Sequence, residues 1–350
     1  MDGLDARRAK LRRAEAVAAD LQAAKTALIG YAASYRDLHA DQNFGHLPCP
    51  DTTGSGIGKT PCGQAGQMAI GLFPHKTLGL PQLRDADGNC FWYAVAGRFK
   101  SNPKALPLNW DTQGEFEVRS AAGTILGTPD DANGGVAALV IAPGSPLPGQ
   151  RRTAPGCSVP PEQARAYLEP SGASFTASPA TDSTGTLAVN DRAVWVTPHE
   201  IFEAVTARGD FARFINDGIA ALASALGTLR PASQNGLLPA VNPFARQAAA
   251  FDFYDGWKDQ FRYLRCQHDG CYADAAGNRY SALLLFGGRS VTGRPRPGTG
   301  RRLSDHFESA LALAEGREFA PCAADPVSFD NSSAAARAAD MALCLSPYSP

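Results

Sequence analysis

Apolar residues recur in alternating steps of three and four along Ala14, Val17, Leu21, Ala24, Leu28, Tyr31 and Tyr35. This spacing predicts one amphipathic helix over residues 1–38, with a narrow apolar seam. Arg7, Arg8, Lys10, Arg12 and Arg13 crowd its first turns, and Glu15, Asp20 and Lys25 lie off the seam. Nine of the positions from Ala14 to Ala33 are Ala, small enough for helices to approach closely. The pattern then changes to short runs between turns. Asp85-Ala-Asp-Gly-Asn89 reads as a hairpin turn that leads into an aromatic strand, Phe91–Ala96. Gly135–Ala142 reads as a buried strand stopped by Pro143-Gly144, and Ala193–Val196 as another strand.

A helix over about 198–229 follows, with Thr197 as N-cap, Pro198 in the first helical position and Glu200 completing a capping box. Its apolar face runs from Ile201 and Phe202 to Ile219 and Leu222. Residues 170–190, rich in Ser, Thr, Ala and Gly, read as an exposed loop. A second Gly/Pro loop carries Arg289, Arg294, Arg296, Arg301 and Arg302.

The second half echoes the first. Ala137–Gly144 aligns without gaps to Ser281–Gly288, Gly71-Leu-Phe-Pro74 matches Gly236-Leu-Leu-Pro239, and Phe91-Trp-Tyr93 matches Phe261-Arg-Tyr263. A duplicated strand–turn–strand unit is the economical reading. The elements together predict an α+β protein: a helical segment 1–38, a globular domain 39–230, and an appended β-rich unit 231–350.

Composition narrows the chemistry. With 33 Lys and Arg against 34 Asp and Glu, the formal charge of −1 offers no field for nucleic acid. The 35 Gly and 26 Pro exclude a helical bundle. No run reaches the ~18 apolar residues that span a bilayer, and the charged first 13 residues lack the apolar segment of an export signal. Eight cysteines, an even count, favour disulfides and an oxidising compartment. Cys266 and Cys271 suit a small closed hairpin better than zinc, because His268 between them has no second ligand pair at the right spacing. The same preference for local closure pairs Cys49 with Cys62 and Cys322 with Cys344, which leaves Cys90 for Cys157.

Gly54-Ser-Gly-Ile-Gly-Lys-Thr60 is not a phosphate loop. Position 53 is Thr rather than the required Gly, Pro48-Cys-Pro50 cannot be the preceding strand, and Pro61 stands where a helix must start. No Gly-x-Ser-x-Gly turn occurs, and no His is paired with an acid at telling spacing. Asp252, Asp255 and Asp259, with Tyr254 and Trp257, are the one group that would suit a sugar-binding or hydrolytic cleft.

One succession of motifs points to a family. Ala27-Leu-Ile-Gly-Tyr-Ala32 closes the leading helix, Leu47-Pro-Cys-Pro-Asp51 leaves it, and a Leu-Gly-Leu segment follows at 78–80. The Asp85–Asn89 turn, the aromatic strand, the buried strand ending in Pro-Gly and Gly149-Gln-Arg151 complete the order. Over residues 15–152 the chain resembles the periplasmic part of type IV pilins and type II secretion pseudopilins. The resemblance implies a long helix packed on an antiparallel sheet, a hydrophobic half-helix ahead of residue 1 as the membrane anchor, and assembly with other pilin or pseudopilin subunits rather than catalysis. It also implies a place at the periplasmic face of the inner membrane or in an extracellular filament. The large headgroup suggests a minor or tip subunit, which would serve adhesion or assembly priming. The Ala14–Tyr35 seam would then pack into the filament. Pseudopilin folds can hold calcium in surface loops, and Asp85, Asp87 and Asn89 are the candidates here, with no cofactor otherwise expected. The rival readings are a periplasmic carbohydrate-binding module and a secreted hydrolase.

Overall fold

The computed structural model describes every residue except 1, 41, 132, 153–155, 170–171, 230–235, 240, 245–249, 267–269, 291–295, 297–302, 304–306, 308–321, 324–327 and 348–350. The chain forms an α+β structure of two compact units. The first comprises residues 1–35, 44–105 and 112–204; the second comprises 36–43, 106–111 and 205–350. The last crossing from the first unit to the second falls between Ala204 and Val205.

The continuous 37-residue helix α1 (Asp2–Leu38) belongs to the first unit up to Tyr35. It is followed by β1 (Ala69–Leu72), β2 (Trp92–Val95), β3 (Glu117–Arg119), β4 (Ile125–Gly127) and β5 (Ala138–Ala142). Then come β6 (Ser174–Thr176), β7 (Ala180–Thr181), β8 (Leu187–Val189) and β9 (Arg192–Val196). Four of these strands make an antiparallel sheet in the order β1-β2-β5-β9. Every residue of β2 and β5 is buried, so both faces of the sheet centre are covered, as their continuous apolar runs require. The segment 170–190 is more regular than its composition suggests. Its β6 pairs in parallel with β3, and its β7 and β8 form a hairpin. The β7–β8 turn has a local cause, since Asp182 Oδ1 accepts the amides of Thr184 and Thr186, whereas β6 is held by a distant one, Phe175 packing edge-on against Phe116.

The helix expected over 198–229 is two helices, α2 (Pro198–Thr206) and α3 (Phe211–Leu229). The capping box stands as read: Thr197 Oγ1 accepts the Glu200 amide, and Glu200 Oε2 accepts the Thr197 amide. Thr197→Ala should cost about 1 kcal/mol, read as a lower denaturant midpoint at an unchanged slope. The break at 207–210 arises because the Arg208 guanidinium forks between Asp37 and Asp210, and the Asp210 carbonyl accepts the Phe214 amide to start α3.

The second unit continues with α4 (Ala250–Trp257), β10 (Phe261–Arg265), β11 (Tyr272–Ala273), β12 (Arg279–Phe286), a short α5 (Ala334–Arg337) and β13 (Met341–Pro347). Gly218 of α3 faces the Phe253 ring of α4 so closely that a Cβ there would lie 2.3 Å from the ring. In the sheet, β12 pairs antiparallel with β10, β11 and β13.

The two sheets agree in register along the echoed segments. Trp92 faces Ile141 in the first, and the echoed Arg262 faces Leu285 in the second. Leu72 faces Trp92 as Leu237 faces Arg262. The correspondence extends to a strand that the sequence comparison did not reach. Ala193 faces Ile141 as Ala342 faces Leu285, which sets Arg192-Ala-Val-Trp-Val-Thr-Pro198 beside Met341-Ala-Leu-Cys-Leu-Ser-Pro347.

All eight cysteines are paired: Cys49–Cys62, Cys90–Cys157, Cys266–Cys271 and Cys322–Cys344. Local closure and elimination had pointed to these four bonds.

Candidate functional site

The leading helix presents two different faces. Val17, Leu21, Ala24, Leu28, Ala32 and Tyr35 are at most 6 % exposed, and Ala14 and Tyr31 are half-buried. They turn into their own unit: Tyr35 meets the His46 ring edge-on at 5.0 Å, the Ala32 carbonyl accepts the Gly45 amide, and Lys25 reaches Glu200. Burial holds the Tyr35 hydroxyl up at about 12, with Tyr31 as a second cause. The expectation that this seam packs against neighbouring copies is therefore corrected. An Asp at Leu21 or Leu28 would disrupt the unit's own core before it disturbed any assembly. Outward lies a second stripe at the same spacing, Ala16, Ala19, Ala23, Thr26 and Gly30, all exposed. Sequence reasoning missed it because an apolar-periodicity search finds the heavier side chains first. No described helix is long and apolar enough to cross a membrane.

The Leu47-Pro-Cys-Pro-Asp51 exit runs beside the first sheet, where Asp51 and Leu72 exchange both backbone hydrogen bonds at 2.9 Å. The Pro48 carbonyl accepts the buried Tyr93 hydroxyl. Beyond it, the Gly-rich loop folds around its own carboxylate. Asp51 accepts the amides of Thr53, Gly54 and Gly56 at 2.6–3.0 Å, which consumes the donors a phosphate would need. Gly56, at φ +83°, lies against the His75 ring with no room for a Cβ. Lys100 is fully buried, and its amine donates to the carbonyls of Cys62 and Gln64, so it ties the Cys49–Cys62 loop to the sheet.

The calcium candidates are committed elsewhere. Asp85 Oδ1 accepts the amides of Asp87 and Asn89, its Oδ2 accepts the Asn89 side-chain amide, and Asp87 accepts the Ser145 hydroxyl. This is a hairpin closed by its own carboxylate, and Asp274-Ala-Ala-Gly-Asn278 repeats it bond for bond in the second unit. Among the described residues, no group of three or more His, Cys, Asp or Glu is arranged to hold a metal ion. His268, Arg294, Arg301 and Arg302 lie outside the described residues.

The acid–aromatic segment of the second unit is a core rather than a cleft. Tyr254 is fully buried and Trp257 is 1 % exposed. The Trp257 ring lies 4.7 Å from Trp110, with Phe211, Phe214 and Phe253 around it. Neither ring is presented to a sugar, which corrects the binding-platform expectation. Asp259 stands half-buried at the edge of a polar network of buried Asn109, Asp111, Gln260 and Arg296. It accepts the Asn109 side-chain amide at 2.7 Å, Gln260 bridges Asn109 and Asp111, and Arg296 approaches Asp111 at 3.8 Å. Burial, reinforced by the nearby Asp111 charge, raises the Asp259 carboxyl to about 7. The network ties residues 106–111 and Arg296 into the unit. The Asp252 backbone carbonyl accepts the Asn43 side-chain amide, and Asp255 is half-buried beside Tyr254.

A second acid with a raised carboxyl, Asp191, is buried in the first unit. Asp191 Oδ2 accepts the Glu169 amide, and Glu169 Oε2 accepts the amides of Asn190 and Asp191. Burial first, and then the Glu169 charge, raises Asp191 to about 8, with Arg152 opposing.

No family model, curated protein or solved structure matches this chain.

Proposed function

We propose that the protein is a structural subunit of a type IV pilus or type II secretion pseudopilus, of the minor or tip kind. The observation that carries this reading is the division of labour along α1. One face, from Val17 to Tyr35, docks on a unit built around a four-stranded antiparallel sheet, while the stripe Ala16–Gly30 stays bare along the same turns. A helix serving only its own domain has no need of a flat, small-residue outer face, whereas helices bundled at a filament axis do. Four disulfides suit a headgroup that works in an oxidising compartment. In this function nothing is turned over. The bare stripe packs against neighbouring helices, and the sheets and hairpins are displayed outward.

The test separates assembly from folding. Ala19→Glu and Ala23→Glu alter exposed positions and should leave the thermal midpoint of the purified protein unchanged, yet remove it from sheared surface filaments. Leu21→Asp should instead unfold the first unit. Undiminished recovery of the Ala19→Glu/Ala23→Glu protein in the filament fraction would rule out the axial packing role.

A further inference from the structure

A groove of about 580 Å3 runs beside the N-terminal half of α1 in the first unit. Ala14, Val17 and Ala142 give it an apolar floor, and Lys10, Arg13 and Arg192 stand at its edges. Its third wall is the 85–89 hairpin, held in place by bonds from Asn89 to the Gly144 carbonyl and from Ser145 to Asp87. The wall is thus built from two fixed turns rather than from loose side chains. Lys10, Arg13 and Arg192 are exposed and have neither an ion-pair nor a hydrogen-bond partner among the described residues. Asp85, by contrast, spends its carboxylate inside the hairpin. The balance of uncommitted charge in the groove is therefore positive, although the chain as a whole carries −1.

We infer that this groove binds an acidic peptide segment of a partner protein. The volume lies in the range that takes a drug-sized molecule, which a few peptide residues match. Three uncommitted cations on two facing walls, Lys10 and Arg13 on α1 and Arg192 on β9, can each meet a carboxylate of a peptide lying between them. Asp87 on the third wall sets the ligand apart from a phosphate or an anionic bilayer. It would repel a surface of uniform negative charge, yet it can accept an N–H, which a peptide backbone supplies and a phosphate does not. The floor residues suit small apolar side chains between the acids. This property is independent of the filament reading, because it belongs to the folded protein alone.

The experiment uses the purified full chain and a fluorescein-labelled octapeptide of alternating Glu and Ala, read by fluorescence anisotropy at low ionic strength. The expected result is saturable binding, weakened about tenfold or more when Gln replaces Glu in the peptide, and likewise in Arg13→Glu/Arg192→Glu. Both arginines are exposed, so the thermal midpoint of that variant should stay unchanged. Lys59→Glu removes the same kind of charge outside the groove and should alter binding by less than about twofold. No binding, equal losses in the Lys59 and Arg13/Arg192 variants, or capture by phosphatidylglycerol vesicles without peptide binding would each overturn the proposal. The last outcome would assign the cations to a membrane surface.

Discussion

Replacing Asp191 by Asn should stabilise the first unit at pH 8.5 and leave it nearly unchanged at pH 4.5. In the folded protein the Asp191 carboxyl is raised from its ordinary 3.8 to about 8 by burial and by Glu169. A group raised in this way contributes stability that is fully present below the unfolded value and is lost as pH rises through the folded one. The loss therefore accumulates between about pH 4 and pH 8, as ionisation forces a second negative charge into a site already holding Glu169. Arg152 offsets part of it: its guanidinium lies 4.7 Å from the Tyr167 ring and donates to the carbonyls of Gly144 and Ala166. At 1.36 kcal/mol per pH unit, with the opposition of Arg152 already contained in the value of about 8, the loss by pH 8.5 amounts to several kcal/mol. Asp259→Asn should do the same in the second unit with a lower midpoint, since Asp259 is raised to about 7. The measurement is the difference in thermal midpoint between variant and wild type across pH, which cancels other titrating groups such as His75. A difference that stays flat, or shrinks as pH rises, would show that these carboxyls ionise normally.

The second large effect belongs to the Cys90–Cys157 bond. It closes 67 residues, the longest loop of the four, and joins the entry of β2 to the chain beyond β5. Cross-linking a loop of that length restricts the unfolded chain by about 4 kcal/mol, against about 2 for the five-residue Cys266–Cys271 closure. Replacing both Cys90 and Cys157 by Ala should therefore lower the melting of the first unit by roughly 10 °C and leave the second unit in place. Calorimetry resolves this. Equal shifts for Cys90/Cys157 and Cys266/Cys271 would show that loop length does not govern the stabilisation.

Several features were legible along the chain because their causes are local. The 3–4 spacing of the leading helix, the Thr197–Glu200 capping box and the Asp85–Asn89 hairpin depend on residues within a turn or two of one another. Disulfide pairing was legible for a related reason: three of the four bonds join near neighbours, and the remaining pair had no other choice. The echo between Ala137–Gly144 and Ser281–Gly288 was visible in side-chain type, but the matching of Arg192–Pro198 with Met341–Pro347 was not. Those two segments share few residues, and only their equivalent places beside β5 and β12 bring them together.

Other readings failed where the deciding contacts are distant. Residues 170–190 have the composition of a loop, yet β6 gains a place beside β3 through Phe116 and Phe175, which lie far apart in sequence. Alternating acids and aromatics at 252–259 suit a cleft or a core equally well. Trp110, more than a hundred residues upstream, makes them a core.

The sequence by itself determined the helix, its caps and turns, the strand periodicity and the disulfide framework, since each follows from backbone preference or short-range closure. Only the tertiary structure decided which way the helix faces, because a 3–4 stripe has no sign until a sheet covers one side of it. It also decided which charges are uncommitted. Asp85, Asp87 and Asp259 look alike in a sequence, but hydrogen bonds and burial spend the first in a hairpin, leave the second at a groove and hold the third as a weak acid within a polar network.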